Sequence, residues 1–273
     1  MTCTWLVENG QSELRSMRIV HGMSCCIQTA EGPILFDCGP DGTLCDNARL
    51  LGIDLSAVKS VILSHSHYDH AGGFPFLEAQ THIPRLVVGP HFFEPKYARH
   101  QEVLTYLGCG FSLDYVKAHA ISLVTVEERM EIVPNLWVVG GFSSTHAFER
   151  IPQRFVKQTP RAIVPDSFED EICLVVVHDQ ELTMLVGCSH VGVSSMTARV
   201  ETLFGLPVTK LYGGFHLGDS DNQTIAATLH ELESCHVRTL GMCHCSGAHA
   251  IELASQTGRF TLNTIHSGDM VEL

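Results

Sequence analysis

Short apolar runs broken by glycine and proline dominate the first third of the chain. Cys3–Val7, Ser24–Thr29 and Ile34–Asp37 are rich in strand-forming residues, and Gly32-Pro33 separates the second run from the third, so three strands are predicted. Asp41–Leu51 reads as a helix that stops at Gly52. Val58–Leu63 is the next predicted strand, Phe74–Gln80 begins a helix, and Arg85–Val88 is a further strand. The pattern then weakens: Glu94–Leu107 is spaced for a helix and Val133–Val139 for a strand.

Gly140–Asp170 has no sustained period, which is long for a structureless loop in a compact domain unless the loop is functional. It carries Arg150, Arg154, Lys157 and Arg161 against Glu149 before the acidic run Glu169-Asp170-Glu171. Two readings stand: a solvated covering, or a rim that contacts an anionic substrate. Alternation resumes with strands at Ile172–Val177 and Leu182–Val186, a helix at Val191–Phe204 and a strand at Lys210–Tyr212. A helix at Thr224–Ser234, a strand at Val237–Met242, a helix at Ala248–Gln256 and a strand at Phe260–Thr264 complete the pattern. Periodicity alone gives α/β.

A chain of 273 residues with 45% hydrophobic content is long enough to bury a full core, and one domain over residues 1–273 is expected. The 30 acidic against 17 basic residues leave a formal charge of −13, which repels polyanions and disfavours nucleic acid as a partner. Eleven cysteines, an odd number scattered from Cys3 to Cys245, fit reduced thiols and a cytoplasmic setting. Met1–Trp5 lacks a basic start and an apolar core of a leader, and no apolar run reaches membrane-spanning length, so no membrane partner is expected. The sequence is silent on oligomeric state.

The densest chemistry is Ser64-His65-Ser66-His67-Tyr68-Asp69-His70-Ala71-Gly72-Gly73, directly behind Val61-Ile62-Leu63. His65 and His67 alternate, so in extended backbone both rings point the same way and can bind one ion together. Asp69 and His70 follow on the turn, free to serve a second ion. Gly72 and Gly73 let the backbone pass close beneath. Paired imidazoles plus a carboxylate are what nitrogen- and oxygen-binding metals require. His190, after Gly187-Cys188-Ser189, and His244, before Ser246-Gly247, also follow predicted strands. His216, in Gly213-Gly214-Phe215-His216-Leu217, reads as substrate-facing, and Asp37 as a carboxylate that orients a ligating imidazole. Cys243-x-Cys245 lacks the second pair that a zinc ribbon needs.

His65-x-His67-x-Asp69-His70 resembles the signature of the metallo-β-lactamase superfamily of metal-dependent hydrolases. Asp37-Cys38-Gly39, Asn47-Ala48, Leu63-Ser64, Gly187-Cys188-Ser189-His190, Gly213–Leu217 and His244-Cys245-Ser246-Gly247 are similar to the subgroup containing the dihydropterin ribofuranosylaminobenzene phosphate synthases. The resemblance runs from about Leu6 to the end. It implies an αββα sandwich of two mixed sheets flanked by helices. It also implies that His65, His67 and His190 hold one ion and Asp69, His70 and His244 the other. Cys188 stands where the wider superfamily places a bridging aspartate, and is set outside the ligand set as a buried thiol. His119 or His146 could be the histidine that many members place between the motifs.

A dinuclear centre of this kind activates a bridging hydroxide for attack on an ester, phosphoester or lactone. Asp69 would hold that nucleophile, and His216 or an arginine of Gly140–Asp170 would face developing negative charge. The expectation is a hydrolase of small anionic substrates with two divalent ions, zinc first, manganese or iron also suiting the ligands. The subgroup implies a rival, a synthase that displaces diphosphate from a pterin diphosphate. A third reading is a metal-dependent binder without turnover.

Overall fold

The computed structural model describes residues 1–273. One seven-stranded sheet runs in the order Met270–Glu272, Thr2–Val7, Ser24–Thr29, Gly32–Phe36, Ser60–Ile62, Arg85–Val88, Ser122–Thr125. The other runs Thr261–Thr264, Thr239–Met242, Val208–Gly213, Leu182–Val186, Cys173–Val177, Leu136–Val139, Arg129–Val133. Each is mixed: neighbours joined by tight turns pair antiparallel, and those joined through helices pair parallel.

The two-residue period of a strand sorts the side chains into layers. Ile34 and Phe36 lie in a core that also holds Leu174 and Val176 of the second sheet, so these faces meet. Leu35, between them in sequence, turns outward onto Leu44, Ala48, Phe74 and Leu77 of the helices Thr43–Leu50 and Phe74–Glu78. On the far side, Cys173 and Val175 pack with Met196, Val200, Ile225, Leu229 and Ala250 of the helices Val193–Phe204, Asn222–Ser234 and Ala248–Thr257. The architecture is αββα.

This arrangement gathers the chemistry at one edge. Asp37 and the segment from Ser64 follow the parallel strands Gly32–Phe36 and Ser60–Ile62 of the first sheet. His190, His216 and His244 follow the parallel strands Leu182–Val186, Val208–Gly213 and Thr239–Met242 of the second. All five segments leave the carboxyl ends of strands, where α/β folds present ligands. Asp69 and His70 lie in a short helix, Tyr68–Ala71, rather than a turn. Gly73 is required by the fit: a Cβ there would fall 2.0 Å from the Cys38 carbonyl oxygen.

Three expectations are corrected. Glu94–Leu107 is not helical; it forms the hairpin Lys96–His100 and Val103–Tyr106. Gly140–Asp170 is not without structure; it contains Phe155–Gln158 and Ile163–Pro165, which join that hairpin in a four-stranded sheet. The reason is tertiary: Phe155 pairs with Ala98 and Lys157 with Lys96, contacts that no local period announces. Val133–Val139 is two strands, Arg129–Val133 and Leu136–Val139, turned at Asn135 with φ of 67°. Ser122–Thr125 and Met270–Glu272 are strands that the pattern did not indicate. No helix is long and apolar enough to cross a membrane.

Candidate metal centre

His65, His67 and His190 are buried, and their ligand-capable atoms lie within 4.8 Å of one another. Nε2 of His65, Nε2 of His67 and both ring nitrogens of His190 have no hydrogen-bond partner. A buried polar atom without a partner costs about 1–3 kcal/mol. Several gathered at one place fit a cation that would repay them. Burial, reinforced by neighbouring positive groups, pushes all three imidazoles well below the ordinary histidine range, so they are neutral with lone pairs free.

A second cluster adjoins the first. His70 Nε2 lies 3.1 Å from His244 Nε2 and 3.1 Å from Cys188 Sγ. Asp69 Oδ2 is 3.3 Å from His244 Nε2, 3.8 Å from His70 Nε2 and 3.2 Å from His21 Nε2. Such spacings are those of donors that share one ion at about 2.0–2.3 Å. Burial brings His244 down to about 4. Burial also opposes charge on His70, but Asp37 and Asp69 outweigh it and raise its imidazole to about 9. Burial alone would raise Asp69, yet His70, His21 and His244 hold it well below the carboxylate range.

Cys188 belongs with these groups. Its sulfur clusters with His65 and His70 on one side and with His244 and Cys245 on the other, so it stands at the junction of the two candidate sites. It is buried, as a free thiol would be, and it also lies within reach of both donor clusters. His21, which lies in no motif and is exposed, and Cys245, whose Cys243-x-Cys245 pair was read only against a zinc ribbon, also fall within these donor groups. His119 stacks on Tyr115 at 4.0 Å and His146 on Phe148 at 5.1 Å, and neither joins a ligand group.

Each ligand segment is fixed by an acidic side chain from elsewhere. Asp37 accepts from the Ser64 amide at 2.7 Å and the Ser64 hydroxyl at 2.8 Å, and its Oδ2 meets His70 Nδ1 at 2.6 Å. Asp170 accepts from the Ser66 amide at 2.9 Å. Glu171 accepts from the amides of His190 and Val191 at 2.8 and 3.0 Å. Glu8 accepts from the His244 amide at 2.7 Å, while Asn9 Oδ1 meets His244 Nδ1 at 3.0 Å. Outer partners of this kind orient ligating imidazoles and raise their basicity.

A cavity of about 360 Å³ opens over both clusters. Of the four cationic residues expected at a rim, only Arg154 lines it, with its guanidinium 4.8 Å over the Phe155 ring and Nη2 2.9 Å from Asp219. Arg150 turns to the Ala147 carbonyl, Lys157 is tied to Glu94 and Glu169, and Arg161 is exposed. His216 lines the cavity with its ring 4.4 Å from that of His190, and burial with the nearby Arg154 charge lowers it to about 4.

A family model describing the metallo-beta-lactamase superfamily matches residues 22–204. A Methanocaldococcus jannaschii protein named 7,8-dihydropterin-6-methyl-4-(beta-D-ribofuranosyl)-aminobenzene-5'-phosphate synthase is 28% identical over 264 residues, 92% of this chain and 90% of that protein. A crystal structure described as a metal-dependent hydrolase of the beta-lactamase superfamily superposes with a TM-score of 0.85 at 26% identity, covering 100% of this chain and 99% of that one. Zn(2+)-bound PqqB from Methylobacterium extorquens shares the fold, with a TM-score of 0.60 at 13% identity and full coverage of both chains. With its clustered histidines at the shared edge of two sheets and a family match over most of its length, the chain belongs to the metallo-beta-lactamase superfamily.

Proposed function

We propose that the protein is a metal-dependent hydrolase with two adjoining ion sites, acting on a small anionic phosphoester or a related ester or lactone. The observation that carries this reading is the pair of donor clusters under one cavity whose wall bears Arg154. His65, His67 and His190 would hold one ion, and Asp69, His70 and His244 with Cys188 the other. Bound ions supply Lewis-acid polarisation and bring the pKa of water toward neutrality. A thiol among imidazoles favours zinc or iron over manganese.

The remaining steps fall to the chain itself. Arg154, steadied by Asp219 and Phe155, is placed to bind an anionic group through paired hydrogen bonds. Asp69, ionised, accepts a hydrogen bond from the attacking water and directs it. His216, neutral at physiological pH, donates toward negative charge that develops on the substrate. Phe155 and Phe168 pack against His67 and His190 and keep bulk water off that side.

A second reading is a synthase, favoured by the relative that is 28% identical over 92% of this chain. In that reaction Arg154 would grip a diphosphate leaving group. The test is one metal-loaded preparation offered phosphodiesters, phosphomonoesters and lactones in one arm, and a pterin diphosphate with a ribosylated aminobenzene in the other. Ester cleavage that disappears in His67→Ala supports the hydrolase; release of pyrophosphate with a joined product supports the synthase. Stoichiometric metal without turnover in either arm would leave a binder. Eleven reduced cysteines favour a cytoplasmic setting.

A further inference from the structure

We infer that Lys96 is a positioning residue for the three-histidine site, acting through Asp170 and through Asp166 with Phe168; the inference rests on the two-ion reading above. Lys96 opens the strand Lys96–His100 and is only 2% exposed. Its Nζ lies 2.5 Å from Asp170 Oδ1 and 3.0 Å from Asp166 Oδ2. A buried ammonium is costly unless paired, and two carboxylates pair this one.

Both carboxylates have a second engagement that leads to the histidines. The other oxygen of Asp170 accepts from the Ser66 amide at 2.9 Å, between His65 and His67. Oδ1 of Asp166 accepts from the Phe168 amide at 2.9 Å and helps hold that residue at φ of 52°. The Phe168 ring stacks on His190 at 3.9 Å and 15°, meets His67 edge-on at 5.3 Å and lies 6.3 Å from His65. Lys96 Nζ itself sits 4.4 Å over that ring. One buried cation therefore ties the backbone of the His65–His67 segment, which leaves the first sheet, to the ring that backs His190, which leaves the second. It comes from the small third sheet, so the role is invisible in the ligand motifs.

A plain structural staple would lower stability when removed and leave the histidines' metal properties alone. The two roles separate in cobalt(II) titrations of chelator-stripped full-length protein, followed by visible absorption, with melting curves for each variant. His67→Ala identifies the bands that belong to the three-histidine site. Lys96→Met is expected to bind the ion of that site about 10- to 100-fold more weakly with altered bands, while the neighbouring ion is unchanged. Asp170→Asn, which keeps the Lys96–Asp166 pair, is the second variant, and the same selective loss is expected. Wild-type cobalt affinity and bands in Asp170→Asn, or in folded Lys96→Met, would reduce Lys96 to a staple and overturn the inference. Wild-type protein that takes up no cobalt would overturn the two-ion reading itself, and the inference with it.

Discussion

His70 and His244 are 174 positions apart in the chain, yet their Nε2 atoms stand 3.1 Å from each other. The opposite nitrogen of each ring is already engaged, His70 Nδ1 with Asp37 at 2.6 Å and His244 Nδ1 with Asn9 at 3.0 Å. Two rings from different sheets are thus turned by their outer partners so that their free nitrogens converge on one point. The same convergence brings in Asp69 and Cys188, so these four donors form one candidate cluster.

Cys188 tests the composition of that site. Its sulfur, 3.1 Å from His70 Nε2, is pushed up by burial as a free thiol, and a divalent ion would claim it as thiolate. Cys188→Ala is expected to weaken the second ion at least about 10-fold and to abolish a thiolate-to-cobalt band in the near ultraviolet. An unchanged band and affinity in a cobalt titration would return Cys188 to the buried thiols.

Arg154 tests the substrate class. Neutralising it as Arg154→Ala should raise KM for a phosphorylated or carboxylated substrate about 10- to 100-fold, the equivalent of one charged hydrogen-bonding contact, with little effect on a neutral ester. Metal content should stay the same. Arg150→Ala serves as the control, because that side chain turns to the Ala147 carbonyl. Equal changes on charged and neutral esters would remove Arg154 from substrate binding.

Glu149 makes a prediction about stability alone. The helix Val193–Phe204 begins at Gly192 without a side-chain cap of its own. Glu149 supplies one from a distant segment, accepting from the amides of Ser194 and Ser195 at 2.6 and 2.9 Å. Glu149→Ala should cost about 1–2 kcal/mol in a denaturant melt and leave metal content unchanged. No measurable loss would mean that water replaces the cap at no cost.

The part of this site written contiguously was legible: His65, His67, Asp69 and His70 fall within one short segment, and His190 and His244 follow apolar strands. Cys188 was legible as a position, but its 3.1 Å approach to His70 Nε2 was not, because a buried thiol carries no sequence mark of what it faces. His21 had no motif around it. In the fold, Leu35 between Ile34 and Phe36 shows why the main sheets could be read: long alternation records which face is buried. Lys96–His100 could not be read that way. Its partner Phe155–Gln158 lies far along the chain, in strands too short for alternation to show, and the local spacing around Val103, Leu104 and Leu107 mimics a helix.

The most direct test of two adjoining sites is elemental analysis of protein purified without added metal, with His67→Ala carried beside it. Wild-type protein is expected to hold two divalent ions per chain, and His67→Ala to lose at least one together with activity. Chelation should lower the melting temperature of wild type far more than that of His67→Ala. A His67→Ala protein that keeps two ions and full turnover, or a wild type that neither contains nor takes up metal, would contradict the dinuclear centre.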